Sequence, residues 1–306
     1  MPLRQPIPTP PINALPPADT SHAGKQWKNI AYGQISSSQT MDIYLPSDGK
    51  RPFPVIVAFH GHGGDKSTAE MNPPLAGLSH GYAVVCVNYR TSPEAHFPAD
   101  VMDAKAAIRY LKATAPKYQL DSSHIAAWGD SFGGNLAALL GTTAGHTELE
   151  DFSIGSRGQS SRVNAVVAWF PSLDDVHMDA DFGQLGIRPG LPRNEESYGM
   201  EVYGAPVTSI PNLASFRDPT RYIAPNASPF FLLHGTDDNI CPITQTERFA
   251  NTLKHTIGSK YVEFVTVKGA GHHIKDCATK ENMDKIFRFL DKWMKDKKSK
   301  KNRNRD

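Results

Sequence analysis

The sequence predicts an α/β domain: a mostly parallel, twisted sheet with helices on both faces. Three observations lead there. First, six continuous apolar runs of strand length recur along the chain, at residues 54–60, 82–88, 125–128, 163–170, 230–233 and 261–267. Unbroken apolar runs suit strands buried on both faces. Second, helical periodicity fills the intervals between them. Val101, Ile108 and Leu111 mark one face of residues 99–115, and Phe249 and Leu253 mark residues 243–254. The clearest pattern is carboxyl-terminal, where Met283, Ile286, Phe287, Leu290, Trp293 and Met294 fall on one helical stripe. Third, strands that alternate with helices build a parallel sheet covered on both sides, and 306 residues suit one large domain of that kind.

In chain order, residues 1–27 form a Pro-rich extension with Pro2, Pro6, Pro8, Pro10, Pro11, Pro16 and Pro17. This composition predicts extended chain lying on the domain surface. The domain proper is placed at 28–294. It opens with two strands, near 29–35 and 41–45, whose polar and apolar residues alternate as in antiparallel edge strands. After the run 163–170, the sixth strand of the sheet, the rhythm breaks. Residues 172–222 carry no strand run and little helical periodicity, and are punctuated by Pro189, Pro192, Pro206, Pro211 and Pro219. A segment this long leaving the carboxyl end of a strand is expected to be an insertion, a lid over a site.

Composition excludes several classes. The net charge of +2 comes from the tail 295–306, which holds seven basic and two acidic residues and is expected to be disordered. The body is weakly acidic, so nucleic acid is not an expected partner. Cys86, Cys241 and Cys277 suggest no disulfide framework, and Cys86 is expected to be a buried thiol within a strand. No apolar run is long enough for a transmembrane helix. The amino terminus is proline-rich rather than basic-then-apolar, so a cytoplasmic location is the expectation. No His-x-x-x-His helix or Cys/His spacing suggests a metal, and no cofactor is expected.

The chemistry centres on residues 124–140. An apolar strand run enters Gly129-Asp130-Ser131-Phe132-Gly133, and an Ala/Leu-rich helical run leaves it. This is G-x-S-x-G, the strand-to-helix elbow that holds a serine hydroxyl at the end of a sheet. The strand before and the helix after are the context that such a motif requires. A serine hydroxyl is a poor nucleophile without a base, and the base needs an orienting acid. The order Ser, acid, His is met. His234–Pro242, after the fifth buried run, contains Asp237 and Asp238, and 269–273, after the sixth, contains His272 and His273. Asp238 is favoured as the orienting acid, with Asp237 as a cap for the helix opening at Pro242. His272, directly after Gly271, is favoured as the base, with His273 as a structural or solvated ring. The oxyanion formed on attack needs preorganised N–H donors. Phe132, after the serine, offers one. The glycine loop His60-Gly61-His62-Gly63-Gly64 at a strand end offers others.

Taken with 41–46, Asn88-Tyr89-Arg90-Thr91-Ser92-Pro93-Glu94 and 97–99, these motifs resemble those of α/β-hydrolase esterases of the hormone-sensitive-lipase and acetylxylan/feruloyl-esterase groups. The resemblance covers about residues 28–292. It implies the α/β-hydrolase fold, a triad of Ser131, Asp238 and His272, and an oxyanion hole from the backbone N–H groups of His62, Gly63 and Phe132. His62 departs from the pattern, since lipase-like members usually carry glycine there. The expected activity is that of a serine carboxylester hydrolase acting on small, short-acyl esters through an acyl-enzyme, with an acetylxylan- or feruloyl-type carbohydrate esterase as the alternative. A prolyl-oligopeptidase-like peptidase fits less well, because no amino-terminal propeller is present. A non-catalytic binding protein on the same fold would typically have lost one of the three residues.

Overall fold

A computed structural model describes residues 15–92, 94–190 and 195–295, with the side chains of 195–197 undescribed. The first part of the Pro-rich extension, Pro93 and the basic tail from 296 onward lie outside the described residues. Eight strands form one sheet: β1 Ala23–Ala31, β2 Thr40–Pro46, β3 Phe53–Phe59, β4 Ala83–Val87, β5 Leu120–Asp130, β6 Ala165–Trp169, β7 Phe230–Gly235 and β8 Val262–Val267. Their order is β1-β2-β4-β3-β5-β6-β7-β8. The pairs β1–β2 and β2–β4 are antiparallel, and β3 to β8 run parallel. The α-helices are α1 Asn72–Leu75, α2 Ala99–Tyr118, α3 Ser131–Thr142, α4 Met178–Leu185, α5 Glu195–Tyr203, α6 Pro211–Ser215, α7 Ile243–Ile257, α8 Ile274–Cys277 and α9 Lys280–Met294.

The apolar runs explain the layers. Alternate residues of β3 serve opposite faces: Val55, Val57 and Phe59 join the core under α2, α3 and α7, while Ile56 faces the side that α9 covers. That second layer is closed by Ile286, Phe287, Phe289, Leu290 and Met294 of α9, all buried. Each such side chain contributes about 1.5–3 kcal/mol by leaving water. Of the residues on the expected stripe, Met283 and Trp293 are only partly buried. The strand β8 is also less enclosed than its apolar sequence suggests, with only Val262 buried, because it closes the edge of the sheet.

Two differences from the sequence reading have physical causes. The first strand runs Ala23–Ala31, not 29–35. Asn29, at φ 54°, makes a bulge in the pairing with β2, and residues 33–38 become the turn. The chain before β1 is also anchored: Ala18 N–H donates to Ser67 O at 2.7 Å, and Ala69 N–H to Pro16 O at 2.7 Å. The segment 172–222 is not structureless. It holds α4, α5 and α6, each too short to build up a periodic stripe.

Polar contacts tie this segment to the core. Gln245 of α7 accepts from the N–H groups of Leu173 and Asp174, both at 3.0 Å. Arg217, 1% exposed, reaches Asp175 at 3.1 Å, and Tyr203 donates to the same carboxylate at 2.7 Å. Among the described residues no helix is long and apolar enough to cross a membrane. Cys86, Cys241 and Cys277 are buried and form no disulfide.

Because α9 supplies one whole side of the core, Leu290→Ala is expected to lower unfolding free energy by about 2–5 kcal/mol in urea denaturation. A loss under about 1 kcal/mol would show that α9 is dispensable to the sheet.

Candidate active site

Four strand ends converge at the carboxyl edge of the sheet: the loop after β3, the elbow after β5, and the loops after β7 and β8. The elbow is formed by close backbone approach. A Cβ on Gly129 would lie 2.2 Å from Gly133 O, and one on Gly133 would lie 2.2 Å from Phe59 O and 2.4 Å from His60 O. No side chain fits at either position. Ser131 between them has φ 52°, a left-handed conformation that is uncommon for a residue with a Cβ. The strain turns its hydroxyl off the strand and toward the loop after β8.

There the structure brings together three of the residues singled out in the sequence. Ser131 Oγ lies 2.9 Å from His272 Nε2, and His272 Nδ1 lies 2.8 Å from Asp238 Oδ2. The arrangement requires the tautomer in which Nδ1–H donates to Asp238 and Nε2 accepts from the serine. Phe170, itself at φ 31°, lays its ring 4.4 Å from that of His272 and limits how the imidazole can tilt.

Asp238 is fully buried. Its Oδ1 accepts from the N–H groups of Ile240 and Cys241, each at 2.8 Å, and Oδ2 also lies 3.3 Å from His234 Nε2. Burial opposes ionisation of this carboxyl. The charge of His272 and hydrogen bonds from His234 and His272 outweigh burial and hold the carboxyl well below the usual aspartate range. Asp237 is not the expected helix cap. It accepts from the Thr236 hydroxyl at 3.0 Å, and α7 opens at Pro242 without a side-chain cap. His273 is buried at the start of α8.

The glycine loop passes beside the elbow. A Cβ on Gly61 would lie 3.4 Å from Ser131 Cβ. Gly63 has φ 69°, which turns the peptide there in a way that favours glycine. Phe132 lies in the first turn of α3, where backbone N–H groups have no intrahelical acceptor. His60 is a packing residue, 2% exposed and stacked on Tyr89 at 4.5 Å. His62 is different. Its ring is half-exposed, tilts 5.8 Å from that of Phe132, and places Nε2 2.9 Å from Glu201 Oε1 of α5. The ring of Phe132 also carries Arg217, whose guanidinium lies 4.0 Å from the ring centre. Among the described residues no cluster of His, Cys, Asp or Glu could hold a metal ion.

Sequence reasoning missed Phe170, His234, Glu70, Arg217 and Glu201 as neighbours of the site. His234 opens the acid loop and Phe170 ends an apolar run, but neither carried a signal of its role, and Glu70, Arg217 and Glu201 sit in no short motif, so only the folded chain brings them close. Asp130 was visible inside the elbow motif, but without a partner.

Sheet, elbow and histidine loop together define an α/β-hydrolase. Residues 41–253 match the BD-FAE family model, and the chain belongs to that family. It is 30% identical over 244 residues to the probable carboxylic ester hydrolase LipM of Mycobacterium tuberculosis, covering 77% of this chain and 52% of LipM. It is 26% identical to the esterase LipC of the same organism, covering 80% of this chain and 59% of LipC. The chain thus spans between half and three-fifths of the length of these relatives. Among solved structures, a truncated carbohydrate esterase from gut microbiota superposes with a TM-score of 0.79 at 27% identity, over 92% of this chain and 100% of that one. A bifunctional GH43-CE protein of Bacteroides eggerthii gives 0.78 at 30% identity, over 88% of this chain and 38% of that one.

The two aspartates are separable by experiment. Asp238→Asn is expected to lower turnover of a p-nitrophenyl ester on the order of 10⁴-fold, as loss of the orienting acid does in related triads, and Asp237→Asn far less. Because its carboxyl is held low in the folded state, Asp238 adds stability that is complete above the unfolded value of about 3.9 and is lost as pH falls toward the depressed one. The margin of wild type over Asp238→Asn in thermal unfolding should therefore narrow below about pH 4.

Proposed function

We propose that the chain is a serine carboxylester hydrolase acting on small, short-acyl esters. The observation that carries this reading is the continuous hydrogen-bonded line from Ser131 Oγ through His272 to Asp238, beside a glycine loop and the first turn of a helix. Ser131 attacks the ester carbonyl while His272 Nε2 takes its proton. Asp238 holds the ring and stabilises the imidazolium. Backbone N–H groups of His62, Gly63 and Phe132 receive the oxyanion. His272 then protonates the departing alcohol, and water releases the acyl group by the same route. Every step is served by side chains and backbone, with no call for a metal or organic cofactor.

The short-acyl preference is supported by what surrounds Phe132. His62, Arg217 and Tyr89, the last with its ring stacked 6.4 Å away, pack against its ring beside the nucleophile, bulk that suits a short acyl chain. The segment 172–222 reads as a cover whose α5 meets the oxyanion loop through Glu201 and His62. A second reading, a carbohydrate ester as substrate, is favoured by the half-exposed polar groups His62 and Glu201 on this rim, which suit a polyhydroxylated alcohol. The likeness to the truncated carbohydrate esterase supports it as well.

Measuring kcat/KM along a p-nitrophenyl ester series tests the acyl side. An optimum between acetyl and butyryl is expected, and one at eight carbons or more would overturn it. Acetylated or feruloylated sugars hydrolysed as fast as p-nitrophenyl acetate would favour the second reading.

A further inference from the structure

Between the oxyanion loop and the elbow lie two buried carboxyl groups that this chemistry does not use. Glu70, on the 3-10 turn Ala69–Met71, is 4% exposed, and Asp130 is 9% exposed. Glu70 Oε1 accepts the N–H of Gly61. The loop is wrapped around this carboxylate. A Cβ on Gly61 would lie 2.9 Å from Glu70 Oε1 and 3.4 Å from Asp130 Oδ2, and one on Gly64 would lie 2.3 Å from Glu70 Oε2. The room that side chains at 61 and 64 would need is taken by the two acids.

Asp130 occupies the N-cap of α3, where an aspartate ordinarily accepts from the first helical N–H groups. It makes no such bond here, and its carboxyl lies on the Glu70 side of Gly61, where the two acids line one small cavity. Glu70 Oε2 is buried and has no hydrogen-bond partner among the described residues. Two adjacent carboxylates removed from water do not both ionise, and a proton held on Asp130 would supply the donor that Glu70 Oε2 lacks. Burial, reinforced by the charge of Glu70, pushes the Asp130 carboxyl well above the usual range. The cavity beside the pair, between Phe59, Met71, Trp128 and Trp169, measures about 10 Å³. That holds no more than a water, so no substrate reaches the acids.

We propose that Glu70 and Asp130 are positioning residues, an acid pair sharing one proton that clamps the oxyanion loop onto the nucleophile elbow. The proposal rests on the serine-hydrolase reading. Gly61 N–H donates to Glu70, Asp130 donates to Glu70, and the Asp130 backbone continues into Ser131, so one bridge sets the spacing between the oxyanion donors and the attacking oxygen. The other titratable groups facing the pair are Tyr89, whose hydroxyl donates to His60 O at 2.6 Å, the His60 ring itself, and Cys277 of α8. Burial pushes both the Tyr89 phenol and the Cys277 thiol well up.

The test compares wild type with Glu70→Leu, Asp130→Leu and Asp130→Asn, reading pH profiles of kcat and KM on p-nitrophenyl acetate and fluorophosphonate labelling of Ser131. Both leucine variants should lose kcat by about 10²-fold, the scale of one oxyanion donor, with little change in KM. Asp130→Asn keeps a donor toward Glu70 and should restore most of that loss. Wild-type kcat should fall at alkaline pH as the pair loses its shared proton. Asp130→Asn, whose donor does not ionise, should lack that limb while keeping the acid limb of His272. The proposal is overturned if Asp130→Asn is no better than Asp130→Leu, if its alkaline limb matches wild type, or if Glu70→Leu turns over normally. Wild type that is not labelled at Ser131 would overturn the hydrolase reading and this proposal together. Labelled variants with unchanged kcat would overturn this proposal alone.

Discussion

The rest of the site depends on one steric constraint, the contact of three backbone segments at the end of the sheet. Gly133 lies so close to Phe59 and His60, and Gly129 so close to Gly133, that the turn between β5 and α3 has no slack. This packing forces Ser131 into a left-handed conformation that an isolated peptide would leave within nanoseconds. The cost of that conformation is met by burying β5 and α3 in the core, where the side chains of Leu136, Leu139 and Leu140 are almost wholly removed from water. The parallel order of the sheet then does the remaining placement. Strands β3, β5, β7 and β8 end on the same side, so four loops far apart in sequence meet over one serine.

Electrostatics refine what sterics position. Asp238 keeps its charge in a buried place because two backbone N–H groups and two imidazoles surround it. Glu70 and Asp130 are also buried, beside Gly61 of the oxyanion loop, and there burial pushes the Asp130 carboxyl well above the usual range. The contrast shows how neighbours push two buried carboxyl groups of one site in opposite directions. Arg217 extends the same logic to the insertion. Its charge is neutralised by Asp175 below and lies on the face of Phe132, so residues 172–222 are fixed where they meet the residue after the nucleophile.

Local signals made much of this legible in the sequence. The six apolar runs became the six parallel strands, and G-x-S-x-G stood between a strand and a helix, because buried strands and tight turns leave unbroken residue patterns. Ser131, Asp238 and His272 were accessible because each closes or follows a strand. The boundary of β1 was not, since an asparagine bulge defeats the alternation on which the reading relied. The helices of the insertion were hidden by their length, two turns or so each, and Asp237 was misread because a cap and a hydroxyl contact look alike in sequence. Glu70 and Arg217 left no signal, because their partners lie 60 and 42 residues away, at Asp130 and Asp175.

The central claim is that Ser131 becomes acylated during turnover. Rapid acid quench of the enzyme with p-nitrophenyl acetate, followed by peptide mass spectrometry, tests it most directly. The account predicts an acetyl adduct on the peptide containing Ser131, absent from Ser131→Ala and nearly absent from His272→Ala, which lacks the base for the attack. Turnover with no adduct, or an adduct confined to another residue, would contradict it.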